Sequence, residues 1–359
     1  MINVTKTYLP SKKRYLAYVD KIYDSGWVTN DGSLVRELTD RLSEYLNVNN
    51  LILVSSGTSA LEVAYRTLGL KGHVMTTPFS FVATTSSLVS NGMVPSYSDI
   101  DPRSFNLSPP NLTLNLAGYE SGIVATHVFG NACDIDELEK IAKFNRSKLV
   151  FDAAHCFGVR YKNKSILNYG DISCISFHAT KLFHTVEGGA LCVNDDNLFE
   201  EAKLRINFGI DGVDSVRSLG TNAKMNEFEA AMGLCVLDDI AQIMEQREEC
   251  YKYYQDKLGG YVRFQERNCD ATNNYAYFPV VFESTSVREG VVAALNHIDV
   301  FPRRYFSPSL DTLPYISKHS PMRCSQELSS KVLVLPLYPG LTGEEQDSII
   351  NVLRGCIDA

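Results

Sequence analysis

Apolar and polar positions alternate between two periods through the first two-thirds of the chain. Short apolar runs recur as LILVSS (51–56), HVMTTP (73–78), GIVATHV (122–128), KLVFDAA (148–154), ISCISFH (172–178) and GALCVN (189–194). Runs of that length without strict alternation read as strands buried on both faces. Between them lie stretches of helical period. TSALEVAYRTLGL puts Leu61, Ala64 and Leu68 on one face, FVATTSSLVSNG reads as a helix that Gly92 ends, and DIDELEKIAKFN as a helix that Asp134 is placed to cap. Strand and helix in turn predict crossover helices covering a largely parallel sheet.

The texture changes after Asn222. KMNEFEAAMGLCVLDDIAQIMEQREECYKYYQDKL reads as one long helical stretch ended by Gly259 and Gly260, which carries the chain out of the sheet. The remainder mixes a strand pattern, YAYFPVVFE, with the helical patterns VREGVVAALNHI and GEEQDSIINVLRGC. We expect a large α/β domain over 1–245 and a smaller C-terminal α+β domain over 246–359, a division in keeping with a chain of 359 residues.

Composition narrows the class. A hydrophobic share of 45% with 21% charged residues is that of a globular protein in water. The net charge of -8 argues against a nucleic-acid partner, yet leaves room for a small anion held by a few local donors. The start, MINVTKTYLPSKKRYLAYVDKIYDSGW, has no apolar signal-peptide core, and no run approaches the roughly 20 apolar residues that span a bilayer. We expect a cytoplasmic protein without a membrane partner. The nine cysteines are odd in number and none forms a C-x-x-C pair, so buried free thiols are expected rather than disulfides or a metal site.

Three places combine chemistry with position. Gly57-Thr58-Ser59 lies between a strand and a helix, where free N–H groups and the helix dipole favour a phosphate; a plain N-cap is the alternative there. Asp152 ends the strand KLVFD and so faces the crevice where open α/β sheets bind ligands, with His155 close behind it; each alone reads equally as a structural residue. Lys181 stands between an apolar strand and the strand led by Gly188-Gly189, where partial desolvation turns a lysine into a Schiff-base former. Ser176, five residues upstream, adds a hydroxyl, and Phe81 in TTPFSFVAT offers a flat face or a core residue. A lysine for an aldehyde, a carboxylate for a pyridinium nitrogen, donors for a phosphate and a flat side chain together describe pyridoxal 5'-phosphate (PLP).

In their order and spacing these segments resemble the DegT/StrS family of nucleotide-sugar aminotransferases, from about Ser25 to Leu234 and more weakly to the C-terminus. SGWVTNDG resembles the family's opening motif, SSGTSALEVA its phosphate loop, and PFSFVATTSSLVSNG its ring-stacking segment. THVFGNACDIDEL resembles its turn after a central strand, and FDAAHCFG its pyridinium-aspartate motif. GDISCISFHATKLFHTVEGGALC resembles its lysine motif, and LGTNAKMNEFEAAMGL the segment crossing its dimer interface. The resemblance implies a fold-type I PLP-dependent transferase. It implies Lys181 as the lysine carrying the cofactor, Asp152 on the ring nitrogen, His155 on the ring's phenolic oxygen, Phe81 stacked on the ring, and Gly57, Thr58, Ser59 and Ser176 around the phosphate. Asn222 would reach that phosphate from a partner subunit, so a homodimer with shared active sites is implied. The family commonly has an aromatic residue and an arginine around that asparagine, where this chain has Thr221 and Lys224.

The family's C-4-acting members tend to carry SFH-x-x-K followed by EGG, and its C-3-acting members SFYP-x-K followed by DGG. Ser176-Phe177-His178, Lys181 and Glu187-Gly188-Gly189 resemble the first group. That implies a nucleotide-linked 4-keto-6-deoxyhexose, with dTDP-4-dehydro-6-deoxy-D-glucose the leading choice. It also implies glutamate as amino donor, a ping-pong scheme through pyridoxamine 5'-phosphate, and a 4-amino-4,6-dideoxy sugar destined for surface polysaccharide such as the O-antigen of lipopolysaccharide. Candidate substrate contacts are Trp27 and Thr29 in the opening motif, His184 beside the lysine, and Arg303, Arg304, Tyr305 and Phe306 in FPRRYFSPSLDTLPY, the arginines as partners for a diphosphate and the two aromatics as a cover for the sugar or base. The competing readings are a C-3 aminotransferase, a PLP-dependent 3-dehydratase (whose group replaces the lysine with histidine), and a non-enzymatic sensor, which would be expected to lose Lys181 or Asp152.

Overall fold

A computed structural model describes residues 1–317 and 320–358. Its centre is a seven-stranded sheet in the order Leu51–Val54, Gly189–Val193, Ile172–Ser176, Lys148–Asp152, Gly122–Thr126, His73–Thr76, Val94–Tyr97. Every strand is parallel to its neighbours except Gly189–Val193, which is antiparallel to both. The exception has a local cause. The stretch between Ile172–Ser176 and Gly189–Val193 contains no helix. Without a crossover the chain can only turn back on itself.

The helices, in chain order, are α1 (Lys12–Ser25), α2 (Ser33–Leu46), α3 (Gly57–Thr67), α4 (Val82–Ser90), α5 (Pro109–Asn115), α6 (Ile135–Asn145), α7 (Asp196–Arg205), α8 (Glu227–Asp238), α9 (Ile240–Leu258), α10 (Thr285–His297), α11 (Arg323–Lys331) and α12 (Gly343–Ile357). One face of the sheet packs on α2, α6 and α8 through Leu38, Leu42, Leu138 and Leu234; the other packs on α3 through Leu61 and Ala64. Both faces are therefore apolar, as the strand runs require.

The long stretch expected after Asn222 is two helices, because Asp239 leaves helical geometry between α8 and α9. Asp134 stands at the N-cap of α6 but makes no side-chain cap bond. A second core surrounds the antiparallel strands Arg263–Phe264, Phe278–Val281 and Val332–Leu335, with Tyr254 and Leu258 of α9, Val291 and Leu295 of α10, and Ile349 and Leu353 of α12. Helix α9 runs unbroken across residues 245–246. All nine cysteines are free, six of them buried, while Cys269 is exposed and Cys324 and Cys356 are partly so. Among the described residues no helix is long and apolar enough to cross a membrane.

Candidate active site

The carboxyl ends of the central strands open into a cavity of about 310 Å³. Gly57, Thr58, Phe81, Asp152, His155, Ser176, Lys181 and Tyr305, all singled out from the sequence, line it. Most of them stand at or just after the end of a strand or at the start of a helix, where an α/β sheet collects polar groups.

Asp152 is the last residue of its strand and is buried. Thr84 Oγ1 donates to its Oδ2 at 2.7 Å and the Ala154 N–H to its Oδ1 at 3.2 Å. Burial pushes its pKa up, while these two bonds and the charge of Lys181 pull it down. Thr84 belongs to a chain of hydroxyls: Thr126 donates to Ser80 at 3.0 Å, and Ser80 pairs with Thr84 at 2.8 Å. Thr84 spends its one proton on the carboxylate, so Ser80 must donate to Thr84. The whole chain is polarised toward Asp152.

His155 is buried, and burial holds its pKa well below the ordinary histidine value, so the ring is neutral at pH 7. The Phe129 N–H donates to Nδ1 at 3.1 Å. Nδ1 is thereby the acceptor, and Nε2 carries the proton and acts as donor. The ring lies parallel to Phe306 at 5.8 Å and 3°, and its edge meets Tyr277 at 4.7 Å.

Lys181 sits in the helix-free connection that reverses the sheet. Backbone bonds Phe177 N to Gly188 O, Ala179 N to Val186 O and Thr185 N to Phe177 O close that connection on itself. The next two residues, Leu182 and Phe183, are buried, and Phe183 stacks on Phe157 at 4.5 Å. Those apolar pegs leave Lys181 on the cavity side. Its Nζ donates to the Tyr277 hydroxyl at 3.3 Å.

The first turn of α3 supplies free donors. Ser56, not Thr58 or Ser59, is the N-cap, accepting from the Ser59 N–H at 3.0 Å. That leaves the Gly57 and Thr58 N–H groups facing the cavity end of the helix. A Cβ on Gly57 would come within 2.8 Å of Ser176 Cβ, so glycine is what lets the helix start close on Ser176. Of the two phenylalanines in PFSF, Phe79 is fully buried among Phe105, Phe129 and Phe306, whereas Phe81 is 55% exposed and free to present its face.

Other expected residues lie elsewhere. Ser59 is turned into a serine cluster with Ser55 and Ser56. Asn222 pairs with Asn207 and accepts from Lys224 Nζ, outside the cavity. Trp27 and Thr29 also lie outside it, with Trp27 exposed after α1. His184, expected to meet substrate, is fully buried; Nε2 bonds the Tyr8 carbonyl at 2.6 Å and Nδ1 accepts from Val186 N–H, so both nitrogens are spent. Arg303 and Arg304 line an adjoining cavity of about 530 Å³ that shares Phe81, Tyr305 and Phe306 with the first. The sequence reading missed Thr84, Ser80 and Tyr277, while Phe306, singled out with Tyr305, lines the cavity. Thr84 had a signal, a threonine one helical turn into the segment that also bears Phe81; Tyr277 had none.

A sequence profile described as the DegT/DnrJ/EryC1/StrS aminotransferase family matches residues 10–354. The chain is 34% identical over 360 residues to a dTDP-4-amino-4,6-dideoxy-D-glucose transaminase of Shigella dysenteriae, covering 98% of each protein. It is 31% identical over 368 residues to the protein of the same name from Escherichia coli, covering 99% of this chain and 98% of that one. Among solved structures, DesI in the presence of its TDP-sugar product superposes with a TM-score of 0.94 at 30% identity, covering 99% of this chain and 93% of the other.

Proposed function

Because this chain belongs to the DegT/DnrJ/EryC1/StrS aminotransferase family and is a sugar aminotransferase, we propose that it uses PLP to place an amino group on C-4 of a nucleotide-linked 4-keto-6-deoxyhexose, with dTDP-4-dehydro-6-deoxy-D-glucose as keto substrate and glutamate as donor. The observation that carries this reading is the convergence of Lys181, Asp152, neutral His155 and the start of α3 on one cavity. The C-4 position and the dTDP group draw support from two relatives named for that amino sugar and from the TDP-sugar complex of DesI.

The donor set fits PLP. Asp152 is a buried carboxylate with no cation bonded to it among the described residues, and a protonated ring nitrogen is a cation that would offset its burial. His155 Nε2–H is a donor fit for the phenolic oxygen, and Phe81 a face for the ring. The N–H groups of Gly57 and Thr58, the α3 dipole and the Ser176 hydroxyl make a cradle for a dianionic phosphate. Asn222 would add to that cradle from a second copy of the chain, in a homodimer. When bound, PLP supplies an aldehyde that condenses with amines and a ring that takes up electrons as the Cα–H bond breaks.

The chain's own residues do the rest. Asp152, whose charged form Thr84 and the Ala154 N–H favour against burial, would hold positive charge at the ring nitrogen. With PLP bound, Lys181 would hold its aldehyde and, once freed by an incoming amine, would accept the Cα proton on Nζ and return a proton one carbon away. Phe306, Tyr277 and Tyr305 line the cavity with rings that would keep water from the reacting atoms. Arg303 and Arg304, one cavity further out, face where a diphosphate would extend. The product, a 4-amino-4,6-dideoxy sugar, suits surface polysaccharide assembly from cytoplasmic nucleotide sugars.

The test is spectroscopic. The purified chain mixed with PLP should develop the visible absorption of lysine-bound cofactor, and glutamate should convert it to the pyridoxamine form. That form should then be discharged by the 4-keto sugar and not by a 3-keto isomer. A visible band indifferent to every amino donor would defeat the reading.

A further inference from the structure

Tyr277 belongs to none of the motifs that carry the reading above, yet its hydroxyl is the one hydrogen-bond partner of Lys181 Nζ among the described residues, at 3.3 Å. The amine lies 5.8 Å from the ring centroid, beyond the hydroxyl rather than over the ring face. The contact is therefore a hydrogen bond to oxygen and not a cation–π pair.

The hydroxyl is held from outside the sheet that bears the lysine. Tyr277 immediately precedes the strand Phe278–Val281 of the second core. The carbonyls of the two residues before it, Tyr275 and Ala276, accept from Nη1 of Arg247 at 3.3 and 3.1 Å. Arg247 is itself buried on α9. The Tyr277 ring rests edge-on against His155 at 4.7 Å and is boxed by Phe129 at 5.7 Å and Tyr305 at 6.1 Å. Its position is thus fixed by packing on three sides and by its backbone, whatever Lys181 does.

We propose that Tyr277 is a positioning residue for Lys181: its hydroxyl holds the ε-amino group whenever that group is not covalently engaged, so that the amine stays within reach of the proton it must move. The proposal rests on the reading of Lys181 as the cofactor lysine. Once released, the Lys181 amine stays within hydrogen-bond reach of Tyr277 Oη, which orients it. It takes a proton from the substrate Cα, whose bonding electrons remain behind on carbon, and becomes an ammonium. The ammonium keeps its bond to Tyr277 and returns a proton from one of its other N–H groups. Tyr277 gains and loses no proton.

Tyr277→Phe tests this, since it keeps every ring contact and removes only the acceptor. In the chain stripped of cofactor, reductive methylation of Lys181, read by mass spectrometry, should speed up about threefold to tenfold, because the amine loses the one hydrogen bond that restrains it. In the reconstituted variant, the single-turnover rate with glutamate should fall about 10- to 100-fold with half-saturation changed less than about threefold, and the isotope effect of Cα-deuterated glutamate should grow. A merely structural role would change melting and half-saturation but not the labelling of Lys181. Unchanged labelling or an unchanged single-turnover rate in Tyr277→Phe overturns the proposal. Failure of the functional reading is told apart from this beforehand, because the wild-type chain would then show no lysine-bound PLP absorption at all.

Discussion

At the scale of single residues, the site turns on the charge of Asp152, which burial opposes and two hydrogen bonds support. Thr84→Val keeps the shape of the side chain and removes the donor at 2.7 Å, together with the chain of hydroxyls behind it. Losing a hydrogen bond to a charged group of this kind costs about 1.5–3 kcal/mol, so PLP affinity should drop by about tenfold or more, read by titrating the cofactor-free chain. Ser80→Ala, one link further back, should cost less. The pH dependence follows from the same carboxylate. Its folded pKa is raised, so the stability it contributes is full below the unfolded value and is lost as pH rises through the folded one. Asp152→Asn removes that loss; the Ala154 N–H can still donate to the amide oxygen, and the Thr84 hydroxyl can turn to accept. The cofactor-free variant should therefore melt above the cofactor-free wild type at pH 7. The gap should close as pH falls into the ordinary carboxylate range near about 4, while PLP binding at pH 7 is weakened. A variant that melts lower at pH 7 would mean the hydrogen bonds outweigh the burial cost.

At the scale of elements, two close approaches shape the cradle: α3 starts against Ser176, and the connection bearing Lys181 folds back between two strands. Gly57 is not in left-handed geometry; it is needed for space, with a Cβ landing 2.8 Å from Ser176 Cβ. Gly57→Ala should push the helix start away from that strand, weakening PLP binding at least about tenfold while the circular dichroism stays that of the wild type. The strain, about 1–3 kcal/mol, would be partly offset by alanine's better helix propensity. These same elements show what could be read beforehand. Asp152, Gly57 and Ser176 were legible because each stands at or just after a strand end that the apolar runs mark, and Lys181 because two such runs bracket it. The reversal of Gly189–Val193 was not, because a buried antiparallel strand has the same apolar run as a parallel one; only the missing helix before it gave the sign. Nor could the sequence reveal how α2 begins. Gly32 offers no side chain for a cap, and Glu227 of α8 accepts instead from the Leu34 and Val35 N–H groups, each at 2.9 Å. That bond joins residues nearly two hundred positions apart, and no local pattern encodes it.

At the scale of the whole molecule, the cavity lies where two cores meet, and we propose that the division into 1–245 and 246–359 is a division of labour. The first part carries the proton-moving and cofactor-holding groups; the second brings Tyr277, Tyr305 and Phe306 to the roof and Arg303 to the adjoining cavity. The segment holding Arg303 is tied to both parts. Arg303 pairs through its backbone with Val334, and Leu310 N–H donates to the Pro78 carbonyl at 2.8 Å beside the central sheet. Arg304 donates to the Ser329 carbonyl, so its guanidinium is partly committed, whereas the exposed Arg303 side chain makes no hydrogen bond among the described residues. Arg303→Ala therefore removes a cation without breaking an internal contact. If a diphosphate lies in that second cavity, the two half-reactions respond differently. Glutamate, which carries no diphosphate, should convert the PLP form at the wild-type rate, while half-saturation by the nucleotide sugar should rise about tenfold, as for loss of one charge-assisted bond. The rise should shrink in high salt, because Arg303 is exposed and its attraction is screened. Equal slowing of both half-reactions would instead make Arg303 a brace for the roof, and would move the diphosphate to another wall of the cavity.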